Sequence, residues 1–257
     1  LATRDPKGLE PLQESHVPAE PSPLTQAIDG LFGRMTRLRA SEREFLASAA
    51  HEMQTPLAGL KTHADIAQRS SDPQTRRRSL ERISLSVDRT ARLVRQLLDL
   101  ARQESGTTSN DGRQTSLRAV LEMVDHELES LLAKRSVALT LDDPPPGMVL
   151  PISEDGLLLA MRNLVENAVI HGPEGAEVIV GATRSANLVG FYVEDKGVGL
   201  TPDEAEACIQ PFIRGNRTNG PGSGLGLAIA RAALANAGMS LRFEQLQPTG
   251  FRVTAVR

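Results

Sequence analysis

Residues 49–60 read Ala49-Ala50-His51-Glu52-Met53-Gln54-Thr55-Pro56-Leu57-Ala58-Gly59-Leu60 (AAHEMQTPLAGL). The apolar spacing is helical, yet Pro56 stands well inside, where proline removes a backbone hydrogen bond at a cost of about 3 kcal/mol. Around it a heptad is visible: Leu46, Ala50, Met53, Leu57, Leu60, Ala64 and Ala67 are spaced alternately four and three. Ser71-Asp72-Pro73 is a helix-start signal with proline just inside. After it Leu80, Ile83, Val87, Thr90, Val94, Leu97 and Ala101 alternate three and four. Two such helices joined by a short turn make an antiparallel hairpin. One hairpin leaves half of each stripe uncovered, so a second copy completing a four-helix bundle is expected, that is, a homodimer.

The heptad turns Ala50, Met53 and Leu57 inward and assigns His51, Glu52 and Thr55 to outer positions, with His51 and Thr55 one turn apart on the same face. The histidine is therefore not there to pack. A lone exposed histidine is usually an ordinary surface residue, but a neighbouring carboxylate changes its chemistry. By accepting a hydrogen bond from one ring nitrogen it fixes the tautomer and makes the other nitrogen a better nucleophile. Arg76-Arg77-Arg78 reads as a solvated face of the second helix.

Outward from the hairpin, composition sets the organisation. Pro6, Pro11, Pro18, Pro21 and Pro23 mark an aperiodic connector, and residues 1–39 are assigned to it, with helical character beginning near Leu24. Residues 40–105 form the hairpin unit. The polar, glycine-containing break from Ser105 to Asp111 marks a hinge, assigned to 106–112, before a second domain at 113–257. There, strands and helices alternate. Helices are expected at Leu117 to Arg135, from the Ser153 cap to Ile170, from the Thr201 capping box, and after the glycine run at 222–226. Strands are expected at Val137 to Leu141, Met148 to Ile152, Glu177 to Thr183, Leu188 to Glu194, Met239 to Leu246 and Gly250 to Val256. This is an α+β layer with a mixed sheet on one side and helices on the other. The net charge of -3 gives no case for a nucleic-acid or membrane surface, so no nucleic-acid partner is expected. The single Cys208 excludes an internal disulfide, fits a reducing compartment and reads as a small buried apolar residue. No apolar run reaches the ~20 residues that span a bilayer.

The second domain carries three short motifs, each weak alone. In Met161-Arg162-Asn163-Leu164-Val165-Glu166-Asn167-Ala168 the apolar residues mark a buried stripe. Asn163 and Asn167 sit four apart on another face, where amide oxygens suit a hard cation beside a phosphate. Asp195-Lys196-Gly197-Val198-Gly199-Leu200 directly follows a strand. Asp195 can accept from an exocyclic amine, and Gly197 and Gly199 let backbone approach a flat base. Gly222-Ser223-Gly224-Leu225-Gly226-Leu227 opens a helix, whose first N–H groups are an anion site.

Taken together, His-Glu-x-x-Thr-Pro-Leu at 51–57, the asparagine motif, D-x-G-x-G-L at 195–200, Pro211-Phe212-Ile213-Arg214-Gly215 and G-x-G-L-G-L at 222–227 resemble the sensor histidine kinases. The likeness covers about residues 40–257: a dimerisation and phosphoacceptor hairpin followed by an ATPase domain of the gyrase, Hsp90 and MutL (GHKL) fold. It implies that His51 attacks the γ-phosphate of ATP, with Glu52 as base or orienting acid. It implies further that the phosphoryl group passes to an aspartate on a response-regulator receiver domain, and that Thr55 positions a water for dephosphorylating that partner. Asn167 is implied as the Mg²⁺ ligand, Asn163 as lying near the phosphates and Asp195 as the adenine reader. Arg214 becomes a γ-phosphate contact, Gly222, Gly224, Leu225 and Gly226 the phosphate loop, and 213–223 a mobile lid. His16, His63, His126 and His171 lack the following acid and proline and are not assigned as phosphoacceptors. Two positions depart from the family pattern: Gln54, often arginine, and Ile170, where many relatives carry a basic residue. Lys7-Gly8-Leu9-Glu10-Pro11-Leu12 resembles the connector that follows a transmembrane helix in such sensors. This places the chain on the cytoplasmic side of a bacterial inner membrane, joined to a membrane sensor region. The competing readings are a catalytically silent nucleotide-sensing dimeric scaffold and a DNA-topology or chaperone ATPase. The second has no use for the histidine hairpin.

Overall fold

The computed structural model describes residues 23–105, 114–142, 144, 147–185, 188–215 and 222–257. The expected hinge at 106–112, most of the proline-rich connector and the middle of the expected lid lie outside the described residues. Compactness divides the chain into two units, Leu1–Gln54 and Thr55–Arg257, the boundary falling inside the first helix.

Helix α1 runs Pro23–Arg69, with Pro56 inside it, and α2 runs Pro73–Glu104. The connection is only residues 70–72, and Asp72 makes it abrupt. Its carboxylate accepts from the Gln74 and Thr75 N–H groups at 3.2 and 2.9 Å, while Pro73 occupies a position whose N–H would be an orphan anyway. Those bonds hold the Asp72 carboxyl below its ordinary pKa, the Thr75 hydroxyl contributing most. Arg76, Arg77 and Arg78 are exposed, with Arg77 paired to Glu81 one turn on, the solvated face expected of them.

The two apolar stripes are not buried within a single chain. Leu46, Leu57, Leu80, Val87 and Val94 are exposed, from 38 to 58%. The positions that one chain does bury are displaced by about one residue: Ala49 and Pro56 in α1, Ser79, Leu93 and Leu100 in α2. Leu93 and Leu100 belong to the part of α2 that packs on the second domain.

That domain begins with β1 (Thr115–Ser116) and α3 (Leu117–Arg135), followed by β2 (Ala138–Asp142), β3 (Val149–Leu150) and α4 (Glu154–His171). The chain continues through β4 (Glu177–Ser185), β5 (Leu188–Asp195), α5 (Pro202–Cys208), α6 (Gly226–Ala235), β6 (Ser240–Gln245) and β7 (Phe251–Val256). The main sheet has the order β2-β4-β5-β7-β6. Its one parallel pairing is β2 with β4; the others are antiparallel. A separate ribbon pairs β1 with β3. The expected elements are all present, but Met148 to Ile152 contributes only a two-residue strand, and the β1 ribbon was not anticipated.

The period-2 alternation of β5 and β7 buries Phe191, Val193, Val253 and Ala255 on one face, and that face meets α3, α4 and α6. Helix α4 is the centre of the layer: Leu157, Ala160, Met161 and Val165 are all fully buried. Each buried large side chain contributes roughly 1.5–3 kcal/mol, so the element bearing the asparagine motif is also the one least free to move. Cys208 is buried at the end of α5, and burial pushes its thiol pKa up, in keeping with a small apolar role.

Candidate functional site

Three of the five motifs converge around α4. Ser153 caps its start by accepting from Gly156 N–H, with Glu154 and Asp155 complementing the positive end. Two turns on, the expected pair of accessible asparagines is split. Asn163 is buried, only 2% exposed, and its amide nitrogen donates back to the Leu159 carbonyl at 2.8 Å. It therefore does not share an outer face with Asn167, although its amide oxygen is left to act. Asn167 is half-buried and lies directly against the start of α6. A Cβ on Gly226 would stand 3.0 Å from both its amide nitrogen and its amide oxygen. The glycine there is a demand of close approach.

Helix α6 begins without a side-chain cap and without an acid in its first turn. Its leading N–H groups are thus left as a positive helix end for something else to satisfy. Just before it, Gly224 has φ 71° and abuts Phe212, and its carbonyl accepts from Phe212 N–H at 2.9 Å. Phe212 itself has φ 66°, a strained value for a bulky residue. The Pro211-to-Gly215 segment is thereby clipped to the glycine loop. Ile213 and Arg214 follow directly in this clipped segment, and residues 216–221 lie outside the described residues.

At the other end of α4, Gly172 packs on the Asp195 side chain. The Asp195 carboxylate accepts from Gly197 N–H at 2.6 Å. Burial pushes its pKa up to about 6, the Gly197 bond opposing and the neighbouring Glu194 charge adding to the rise. Gly199, with φ 72°, turns the chain away beneath Phe251.

Helix α2 docks on the same frame. Arg162 of α4 pairs with Asp99 at 3.1 Å and with Glu127 at 3.7 Å, and Arg92 faces Glu166 at 3.7 Å. The Ser223 hydroxyl, inside the glycine loop, donates to Gln96 at 2.8 Å. Asn236 donates to the backbone and side chain of Gln103 at 2.9 and 3.0 Å. Apart from the motif residues Arg162, Glu166 and Ser223, none of these partners stands out in the sequence. Glutamines and asparagines three or four apart on a helix look the same whether they face solvent or another domain.

In the hairpin, His51 and Thr55 are exposed and Glu52 is half-buried, while Ala50 and Leu57, expected inward, are exposed as well. Each has polar or electrostatic interactions in the structure.

The residues around α4 suit a triphosphate nucleotide. An uncapped helix start and glycine backbone face an anion, an amide stands beside them, and a recessed carboxylate that can accept from an amine lies at the far end. No group of three or more His, Cys, Asp or Glu able to hold a metal ion occurs among the described residues.

Two family models match the chain. Residues 41–106 match the His Kinase A (phospho-acceptor) domain, and residues 152–257 match the histidine kinase-, DNA gyrase B- and HSP90-like ATPase. The sensor protein QseC of Escherichia coli O157:H7 is 35% identical over 98% of this chain and 55% of its own. The sensor protein kinase PmrB of Pseudomonas aeruginosa is 34% identical over 89% of this chain and 48% of its own. The chain thus spans about half the length of the curated relatives it matches. Among solved structures, histidine kinase ThkA in complex with the response regulator TrrA matches with a TM-score of 0.68. At 17% identity, over 87% of this chain and 64% of that one, it bears on the fold.

Proposed function

Because this chain belongs to the sensor histidine kinases, we propose that it autophosphorylates His51 from ATP and passes the phosphoryl group to an aspartate of a response-regulator receiver domain. The supporting observation is the meeting of Asn167 with the uncapped start of α6 at Gly226, which joins two motifs 59 positions apart in sequence at an anion-binding helix end. Asp195 reads the adenine amine at the far end of α4, and Arg214, with the loop Gly222, Gly224, Leu225 and Gly226, receives the phosphates. Asn167 would hold Mg²⁺ through its amide oxygen, and the ion would supply neutralisation of phosphate charge, with Asn163 supporting from the buried side of the helix.

In the transfer itself a ring nitrogen of His51 attacks the γ-phosphorus. The bond to the bridging oxygen breaks and ADP leaves with that electron pair. Glu52 holds the imidazole tautomer and takes the ring proton. Most of the acceleration in such a step comes from positioning and charge neutralisation. That is why the acceptor stands on an outer helix face while the donor site is recessed. The exposed stripe of Leu46, Leu57, Leu80, Val87 and Val94 is covered by a second copy. Thr55 positions a water for removing the phosphoryl group from the regulator. In the full-length protein a membrane sensor region precedes the connector, and this portion works on the cytoplasmic side.

The test is incubation with γ-labelled ATP and Mg²⁺, followed by acid and alkali treatment. Label that is alkali-stable, acid-labile and absent from His51→Ala supports the assignment. An unlabelled wild type that still binds ATP points instead to a silent nucleotide-sensing scaffold.

A further inference from the structure

The turn that follows α4 forms the wall against which Asp195 lies, and it is held by a residue outside every nucleotide motif. Arg135, the last residue of α3, donates from Nη2 to the carbonyls of Gly172 at 3.0 Å and Ile170 at 3.4 Å. Its own carbonyl accepts from Gly175 N–H at 3.0 Å. One residue therefore clasps both limbs of the turn. Directly beyond, Ala138 N–H bonds the Ala176 carbonyl and starts the parallel pairing of β2 with β4.

The inner side of the turn has no slack. A Cβ on Gly172 would lie 3.7 Å from the Asp195 Cβ. A Cβ on Gly197 would lie 3.5 Å from the Gly172 Cα and 3.3 Å from the His171 carbonyl. Any shift of the turn is passed on to Asp195 and to the Gly197 N–H that orients it. Charge adds a second reason for a guanidinium here. The last carbonyls of α4 are the negative end of a helix, and they stand beside a recessed carboxylate. An always-protonated arginine offsets that negative potential. The Arg135 Nε is buried with no hydrogen-bond partner among the described residues, so its hold on the turn rests on Nη2 and the main chain.

We propose that Arg135 is a positioning residue for the base-reading end of the nucleotide site: by clasping the 170–175 turn it fixes Asp195 and Gly197 without touching the nucleotide. This rests on the reading of that site as an ATP site. The cation that the sequence lacks at Ile170 is thus present at that residue's carbonyl, in a structural role.

The experiment measures calorimetric affinities of the whole chain for ATP and for inosine triphosphate, which lacks the exocyclic amine. The variants are Arg135→Met, Arg135→Lys, Asp195→Asn and the Met/Asn double variant. Arg135→Met should weaken ATP binding roughly tenfold, the cost of a small misplacement at a reading group, and leave inosine triphosphate unchanged. Arg135→Lys should recover most of that loss. In the Asp195→Asn background, Arg135→Met should add nothing. Equal weakening of both nucleotides would show mere loosening of the domain and overturn the proposal, as would unchanged affinity for both. If Asp195→Asn itself leaves the preference for ATP intact, the site reading fails and this inference falls with it. If Asp195→Asn abolishes the preference and Arg135→Met does not, only this inference fails.

Discussion

Gly226 and Asn167 are in contact: the position of a Cβ on Gly226 is 3.0 Å from both polar atoms of the Asn167 amide. The asparagine is fixed on a helix anchored in the core by Leu157, Ala160, Met161 and Val165, so the helix cannot shift away to make room. Gly226→Ala should therefore displace the amide by a few tenths of an ångström and weaken ATP binding by about tenfold to a hundredfold. Thermal stability should fall little. Nucleotide titration and a melting curve on the same sample check both halves, and unchanged affinity would refute the pairing.

Asp195 sets function against stability. Its folded pKa of about 6 lies above the ordinary 3.8 because of burial. Between those values the folded state binds more protons than the unfolded one. The stabilisation associated with the protonated carboxyl is complete at low pH, falls as pH rises from about 4 to about 6, and is absent above. Asp195→Asn removes the buried charge while keeping an oxygen for Gly197 N–H. At pH 7 it should melt higher than wild type and bind ATP more weakly. Wild-type affinity should also drop as pH falls below about 6, where the carboxylate is lost as an acceptor.

Thr55 lies one turn from His51 on the outer face of α1. Thr55→Ala should leave labelling of His51 within about twofold, since the hydroxyl has no part in the attack. It should slow dephosphorylation of a phosphorylated regulator tenfold or more, by roughly the amount that one water-positioning group supplies. Equal loss of both activities, measured in parallel, would remove the separate role.

Asp99 and Arg162 join α2 to α4 across 3.1 Å, with side chains 22% and 32% exposed. A double-mutant cycle with Asp99→Asn and Arg162→Met should give a coupling of about 1 kcal/mol, the upper end for pairs still reached by solvent. Because Arg162 also faces Glu127 at 3.7 Å, the arginine variant should cost more than the aspartate variant. Zero coupling in chemical denaturation would remove this ion pair as a contributor to the packing of α2 on α4.

The stripe of α1, the Asp72 stop-and-start, the Ser153 and Thr201 caps and the strand alternation of β5 and β7 could all be read from the residues. Each depends on interactions within a few positions, where spacing alone determines the geometry. The partition into a histidine hairpin and an ATPase layer followed from those elements and from the order of the motifs. The heptad placed His51 at an exposed position, but it also turned inward Ala50 and Leu57, which are exposed. It did not show that one chain buries Ala49 and Pro56 while Leu46 and Leu57 stay exposed, because a repeat does not say which neighbour covers which edge of the stripe.

Long-range contacts were not legible. A sequence marks Asn163 and Asn167 as a pair at i and i+4, but only the packing of α4 buries one against its own backbone and sets the other against Gly226. Likewise Arg135 at a helix end and Gln96 in a polar repeat carry no local sign of the carbonyls and hydroxyl they meet 37 and 127 positions away. Sequence by itself determined which helices and strands form and which residue types could do phosphoryl chemistry, since propensity, capping and periodicity are local. The tertiary structure alone decided which of those residues converge, because convergence depends on how the faces of distant elements are packed to exclude water.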